Sequence, residues 1–174
     1  MESELRIPVR VQAALRAPAN AWAKPLPRPV GVTPGGGEGE VGRTLSERDG
    51  VRLIDAGPAA IVLHRKETEG VALNLSGGAV LYVVMRPDDG PLGASVHLVT
   101  ASDHEAQDHT DAGEDMVERV PMPPAIREAI EAFVARHHVE EPFHKRKRKK
   151  DRVEEHKFGQ EPIFARGQGQ GGGR

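Results

Sequence analysis

Hydrophobic periodicity constrains the fold of this chain more than any other feature, and it stops at residue 138. Up to that point, apolar residues recur with the spacings of strands and helices that bury one face. Residues 139–174 lack such spacing and end in glycine and glutamine, a composition that cannot bury a core. We therefore predict one folded domain over residues 1–138 and a flexible tail over residues 139–174.

The predicted tail is basic, whereas the predicted domain is acidic. Residues 139–174 contain 10 Lys and Arg and 6 Asp and Glu, and the preceding residues contain 14 and 20. The tail could dock on an acidic protein or membrane surface, bind nucleic acid phosphates, or only solubilise the chain. The candidate partner-binding residues in it are Lys145, Arg146, Lys147, Arg148, Lys149 and Lys150.

The composition excludes several classes of protein. The chain has no cysteine, so disulfides, thiolate metal sites and cysteine nucleophiles are ruled out. Its longest apolar run, residues 79–85, is much shorter than the roughly 20 residues that cross a bilayer. Since the N-terminus is acidic rather than basic, we expect no signal peptide and a cytoplasmic location.

Strand patterns occupy most of the predicted domain. The first carries Pro8, which cannot donate to a sheet ladder, and this favours a position at a sheet edge. Turn signals at 56–58 and 87–91 predict two antiparallel hairpins, the first between residues 51–54 and 60–64. The patterns cover residues 7–13, 51–54, 60–64, 80–85, 96–100 and 116–120.

Three segments have helical patterns. The first is a short helix over residues 68–75. The second begins with a capping box, Ser102 and Glu105, and ends near Gly113. The third starts at Pro124, and its apolar face consists of Ile126, Ile130, Phe133, Val134 and His137. We predict an α+β fold with a mainly antiparallel sheet, formed by two hairpins and an N-terminal strand, and followed by a disordered basic tail.

A proline-dense segment, residues 17–34, predicts extended chain and carries the only tryptophan, Trp22. Trp22 could anchor a partner, because tryptophan is enriched in interface hot spots. We favour the alternative that it packs across the sheet as a lid, since aromatic residues make up only 3% of the chain. The glycine-rich residues 35–40 predict a flexible surface loop.

We find no motif that indicates catalysis. His104 and His109 are spaced by five residues, which places them poorly for sharing a ligand on one helix face. The serines lack a nucleophile elbow, and the glycine clusters lack the order of phosphate-binding loops. We therefore predict no catalytic residue, no metal and no cofactor. A solvated helix face explains the acidic cluster, which consists of Asp103, Glu105, Asp108, Asp111, Glu114 and Asp115.

Several stretches together resemble an uncharacterised family, common in proteobacteria, that is known only as a domain of unknown function. The resemblance covers about residues 5–150. The stretches are residues 6–9, 21–22, 28–30, 63–69, 74–75, 82–86, 99–102, 120–123, 132–134 and 138–150. Members often occur near formate dehydrogenase genes, and some are labelled molybdopterin-guanine dinucleotide biosynthesis protein A.

The resemblance implies a link to molybdoenzyme assembly. The expected function is therefore that of a non-enzymatic accessory protein that binds a component of that assembly. A nucleic-acid-binding adaptor and a nucleotidyltransferase of cofactor biosynthesis are the alternatives. Trp22, Arg28 and Phe143 are the candidate partner or packing anchors. A candidate polar site comprises His64, Arg65, Glu67 and Glu69.

Overall fold

The computed structural model describes residues 3–139, which form seven strands and three helices. The strands are β1 (Glu4–Arg16), β2 (Arg28–Pro34), β3 (Thr44–Arg48), β4 (Val51–His64), β5 (Val80–Pro87), β6 (Ala94–Thr100) and β7 (Met116–Pro121). The helices are α1 (Glu69–Gly77), α2 (Asp103–Ala112) and α3 (Pro124–His137). The strands make two antiparallel sheets, ordered β2-β1-β4-β3 and β6-β5-β7. The α+β prediction is confirmed, whereas the predicted disordered tail lies outside the described residues.

The N-terminal strand lies in the middle of its sheet, so the predicted edge position is wrong. β1 pairs with β2 on one side and β4 on the other. Pro8 is tolerated because the β1–β2 pairing starts only at Val9, opposite Pro34. Next to this first pair, the carbonyl of Pro8 accepts a hydrogen bond of 2.8 Å from the amide of Gly35.

The first predicted hairpin, between residues 51–54 and 60–64, is wrong, and a different hairpin lies next to it. Residues 51–64 form the single strand β4, in which Ala56 is the extra residue of a β-bulge and Gly57 has a φ of 122°. The hairpin joins β3 to β4 through Asp49 and Gly50, whose φ values are 53° and 73°. Two positive φ values are typical of a type I′ turn, which suits the twist of paired strands. A glycine-containing bulge was therefore misinterpreted as a turn.

Hydrogen bonds from Arg10 anchor the glycine-rich loop at residues 35–40. The guanidinium of Arg10 donates to the carbonyls of Gly37 and Gly39 over 2.7 and 2.9 Å. Its Nε atom donates over 2.8 Å to the carboxylate of Asp55, whose side chain is buried. One half-buried cation therefore links the loop to β1 and β4.

β5 to β7 and the three helices follow the sequence prediction. β5 and β6 form the second hairpin. Ser102 accepts a hydrogen bond from the Glu105 amide at the start of α2, and Gly113 ends the helix with a φ of 72°. Helix α3 buries Ile126, Ile130 and Phe133.

The core combines aliphatic side chains from both sheets with Phe133. β6 lies beside β4, and β7 lies beside β2, so the two sheets contact each other at two places. Among residues 3–139, no helix is long and apolar enough to span a membrane.

Candidate functional site

Trp22 lies on the surface, with 93% of its area exposed, so the predicted lid is wrong. The side-chain oxygen of Asn20 accepts hydrogen bonds from the amides of Trp22 and Ala23, over 3.0 and 2.8 Å. These bonds fix a turn ahead of β2. The core does not need the indole, because Phe133 on α3 supplies the large ring.

Two further apolar side chains near Trp22 in the sequence are also exposed. Leu26 is 41% exposed and Val30 is 43% exposed. We call residues 20–30 the Trp22 segment. Exposed tryptophan is enriched at protein interaction surfaces.

Arg28, the second candidate anchor, connects the two sheets at the surface. Its Nε atom lies 3.0 Å from the carboxylate of Glu118 on β7. The Arg28 side chain is 70% exposed, and ion pairs at such exposed positions contribute only about 0–1 kcal/mol to stability. The Arg28 side chain, which belongs to the Trp22 segment, is therefore still accessible to a partner. The third candidate, Phe143, lies outside the described residues.

The predicted polar site lies at a cleft of about 700 Å³. The cleft is bounded by the end of β4, by β6, and by the N-terminal ends of α1 and α2. Three of the four predicted residues line it: His64, Glu67 and Glu69. The fourth, Arg65, is exposed beside it and donates its backbone amide to the carbonyl of Ser3.

Gly70 allows the two helices to meet at this cleft. A Cβ atom at position 70 would collide with the Ser102 hydroxyl and lie 3.1 Å from the His104 ring. Because Ser102 caps α2 and Gly70 is in the first turn of α1, the two helix N-termini converge. Thr68 immediately precedes α1, and its hydroxyl lies 3.0 Å from Nδ1 of His138. The end of α3 is thereby tied to the same corner.

The cleft is acidic on balance. Glu105 and Asp108 on α2 also line it, whereas Lys66 is the single ammonium group in its lining. Within residues 3–139, none of the four lining carboxylates forms an ion pair. The partial positive charges of two helix N-termini favour Glu69 and Glu105, which lie in first turns. The arrangement can attract cationic groups and accept hydrogen bonds.

The interpretation of the acidic cluster as wholly solvated is wrong for two of its members. Asp103 accepts a hydrogen bond of 2.6 Å from the Tyr82 hydroxyl. Burial, and then this bond, raise the pKa of Tyr82. The side chain of Asp115 is 2% exposed and accepts two bonds from Arg86, over 2.8 and 2.9 Å. The ring of His109 lies 2.8 Å from the same carboxylate.

Arg86 and His109 also change the acidity of Asp115. The hydrogen bonds from Arg86, and next those from His109, hold the pKa of the Asp115 carboxyl far below its usual range. Sequence reasoning missed this cluster because Arg86 lies on β5, His109 on α2 and Asp115 in the turn between α2 and β7.

Residues 8–147 match the model of a family described as Protein of unknown function (DUF3305). The chain belongs to this family. No curated protein and no solved structure matches the chain significantly. The predicted resemblance to an uncharacterised family is confirmed, whereas the association with formate dehydrogenase genes stays a prediction.

The DUF3305 match includes the Trp22 segment, the cleft and the first three residues of the basic run, Lys145 to Lys147. The basic run itself lies outside the described residues. Its docking role stays a prediction.

Proposed function

We propose that this DUF3305 protein is a non-enzymatic accessory protein that binds a polypeptide of molybdoenzyme assembly, with formate dehydrogenase as the first candidate. The observation that carries the binding role is the near-complete exposure of Trp22 on a turn fixed by Asn20. The link to molybdoenzymes rests on the sequence resemblance.

Trp22 has the properties of a binding anchor. A tryptophan that moves from water into a partner's pocket removes a large apolar area from solvent. Because the Asn20 side chain already fixes the backbone of the turn, little conformational entropy is lost on binding. Leu26 and Val30, which follow Trp22 by four and eight residues, are exposed as well.

Co-purification from the native host tests this function. We expect the wild-type chain to retain formate dehydrogenase or a protein of its assembly. Trp22→Ala should reduce recovery at least tenfold, because truncation of a hot spot costs about 2 kcal/mol or more. Leu73→Ala is the matched control, since Leu73 is 53% exposed on α1.

Two outcomes contradict the proposal. One is wild-type protein that retains neither the dehydrogenase nor an assembly protein, together with unchanged dehydrogenase activity when the gene is deleted. The other is equal recovery with Trp22→Ala and with wild type, which would remove the anchor role of Trp22.

Nucleic-acid binding is the second candidate function, and six consecutive basic residues at 145–150 favour it. Such binding weakens steeply as salt rises, because each neutralised phosphate releases counterions. It would not depend on Trp22, and this separates it from the first candidate.

A further inference from the structure

Two histidines from different elements meet at one end of the second sheet. The imidazole rings of His97 on β6 and His109 on α2 have centroids 5.4 Å apart, and their planes are inclined at 71°. Val84 pairs with Leu98 and Met85 with Val96, so His97 is the extra residue of a β-bulge. Bulges re-aim side chains, and this one brings an exposed histidine to His109.

A buried carboxylate orients His109. Nδ1 of His109 lies 2.8 Å from Asp115, whose side chain is 2% exposed. Two hydrogen bonds from Arg86 fix the carboxylate in turn. Since a carboxylate accepts, Nδ1 carries the proton, and the lone pair of Nε2 points away from Asp115. Metal-binding histidines have this same second shell.

We propose that His97 and His109 bind one divalent transition-metal ion, with Zn²⁺ or Ni²⁺ as the fitting class. Nε2 of His109 and one ring nitrogen of His97 are the ligands. Metal–nitrogen bonds of about 2.1 Å at a tetrahedral angle place two imidazole centroids about 5 Å apart. The observed centroid separation of 5.4 Å matches this distance, and the rings meet edge to face, so the exposed His97 ring would turn to aim a nitrogen at the ion.

The residues around the two histidines determine how many protein ligands and how much charge the site offers a metal ion. Within residues 3–139, no group of three His, Asp or Glu side chains converges to hold a metal. Water or a partner's side chain therefore completes the coordination. The guanidinium of Arg86 offsets the charge of Asp115, so the imidazole lone pairs supply the affinity. This site is separate from the Trp22 segment and does not depend on the proposed function.

Histidine-labelled full-length protein, titrated with ZnCl₂ and followed by NMR of the imidazole rings, tests the site. The chain has 8 histidines, which provide internal references. We expect the His97 and His109 resonances to shift together, at lower Zn²⁺ concentrations than those of the other histidines.

Substitutions make the test decisive. His97→Ala should weaken Zn²⁺ binding at His109 at least tenfold, and Asp115→Asn by 10- to 100-fold through loss of the orienting carboxylate. His104→Ala is the matched control, because His104 is an exposed histidine at the other end of α2.

Equal Zn²⁺ affinity at His109 in wild type and His97→Ala would overturn the proposal. So would shifts in which His97 and His109 respond no earlier than the other histidines. Circular dichroism confirms that each variant is folded. If Asp115→Asn does not fold, the Zn²⁺ affinity of His97→Ala alone tests the proposal. His97 is exposed, so its truncation leaves the core intact.

Discussion

Single buried polar residues hold the elements of this fold together. Asn74 is 3% exposed, and its side-chain amide donates to the carbonyls of Val80 and Ala101 over 2.7 and 2.8 Å. Its oxygen accepts from the Val80 amide over 3.1 Å. One side chain thereby fixes the end of α1 against β5 and the residue that follows β6. The sequence does not reveal this role, because the partners lie 6 and 27 residues away.

Asp115 predicts a pH dependence of stability. Hydrogen bonds from Arg86 and then His109 lower the pKa of this carboxyl in the folded state, relative to about 3.9 in the unfolded chain. The contribution of the Asp115 carboxylate to stability is therefore complete above its unfolded-state pKa. It is lost as the pH falls toward the folded-state pKa. We expect the melting temperatures of wild type and Asp115→Asn to differ most at about pH 5–6, and the difference to shrink progressively as the pH falls below about 4.

Thermal unfolding followed by circular dichroism between pH 2 and 6 measures this difference. Asp108→Asn controls for the loss of one negative charge, since Asp108 is exposed on α2. A difference between wild type and Asp115→Asn that stays constant down to pH 2 would show that the carboxylate is not stabilised by its cationic neighbours.

Elements with local signals were predictable from the sequence. Ser102 and Gly113 mark the ends of α2 by their own side-chain and backbone chemistry. β3 was missed because all five of its residues are exposed, so that no burial pattern exists. The Asp49-Gly50 turn, a strong hairpin signal, could have revealed it.

The contact of α1 with α2 gives a prediction at the scale of elements. Gly70→Ala introduces a methyl group that collides with the cap of α2 at Ser102. We expect the free energy of unfolding to fall by about 1–3 kcal/mol, the usual cost of overpacking. Chemical denaturation measures it.

Gly77→Ala is the matched control in the same helix. A Cβ atom at Gly77 would have no neighbour within 4 Å, and its φ is not in the left-handed region. We expect no loss of stability and a gain of up to about 1 kcal/mol from the less flexible unfolded chain. Equal effects of the two substitutions would show that the close helix approach does not limit stability.

At the scale of the whole molecule, residues 3–139 supply a continuous core from both sheets and α3. We therefore expect a fragment of residues 1–140 to unfold cooperatively, with a thermal midpoint within about 2 °C of the full chain, since surface changes rarely exceed about 0.5 kcal/mol. Differential scanning calorimetry of both proteins measures this. A fragment that unfolds without a cooperative transition would place the domain boundary elsewhere.

Sequence reasoning recovered the candidate sites unevenly. His64, Glu67 and Glu69 come together because they flank the start of α1, so closeness in sequence was sufficient. The position of Trp22 could not be inferred, because composition does not tell which large side chain fills the core. The His97–His109 pair depends on a bulge whose register is set by a neighbouring strand.

The outward position of the only tryptophan has a practical consequence. Its fluorescence reports on water and on whatever covers the Trp22 segment, and hardly on the packing of the core. Emission is therefore a poor signal of unfolding but a label-free signal of association. A shift of the emission to shorter wavelength on addition of another protein would mark the transfer of this indole out of water.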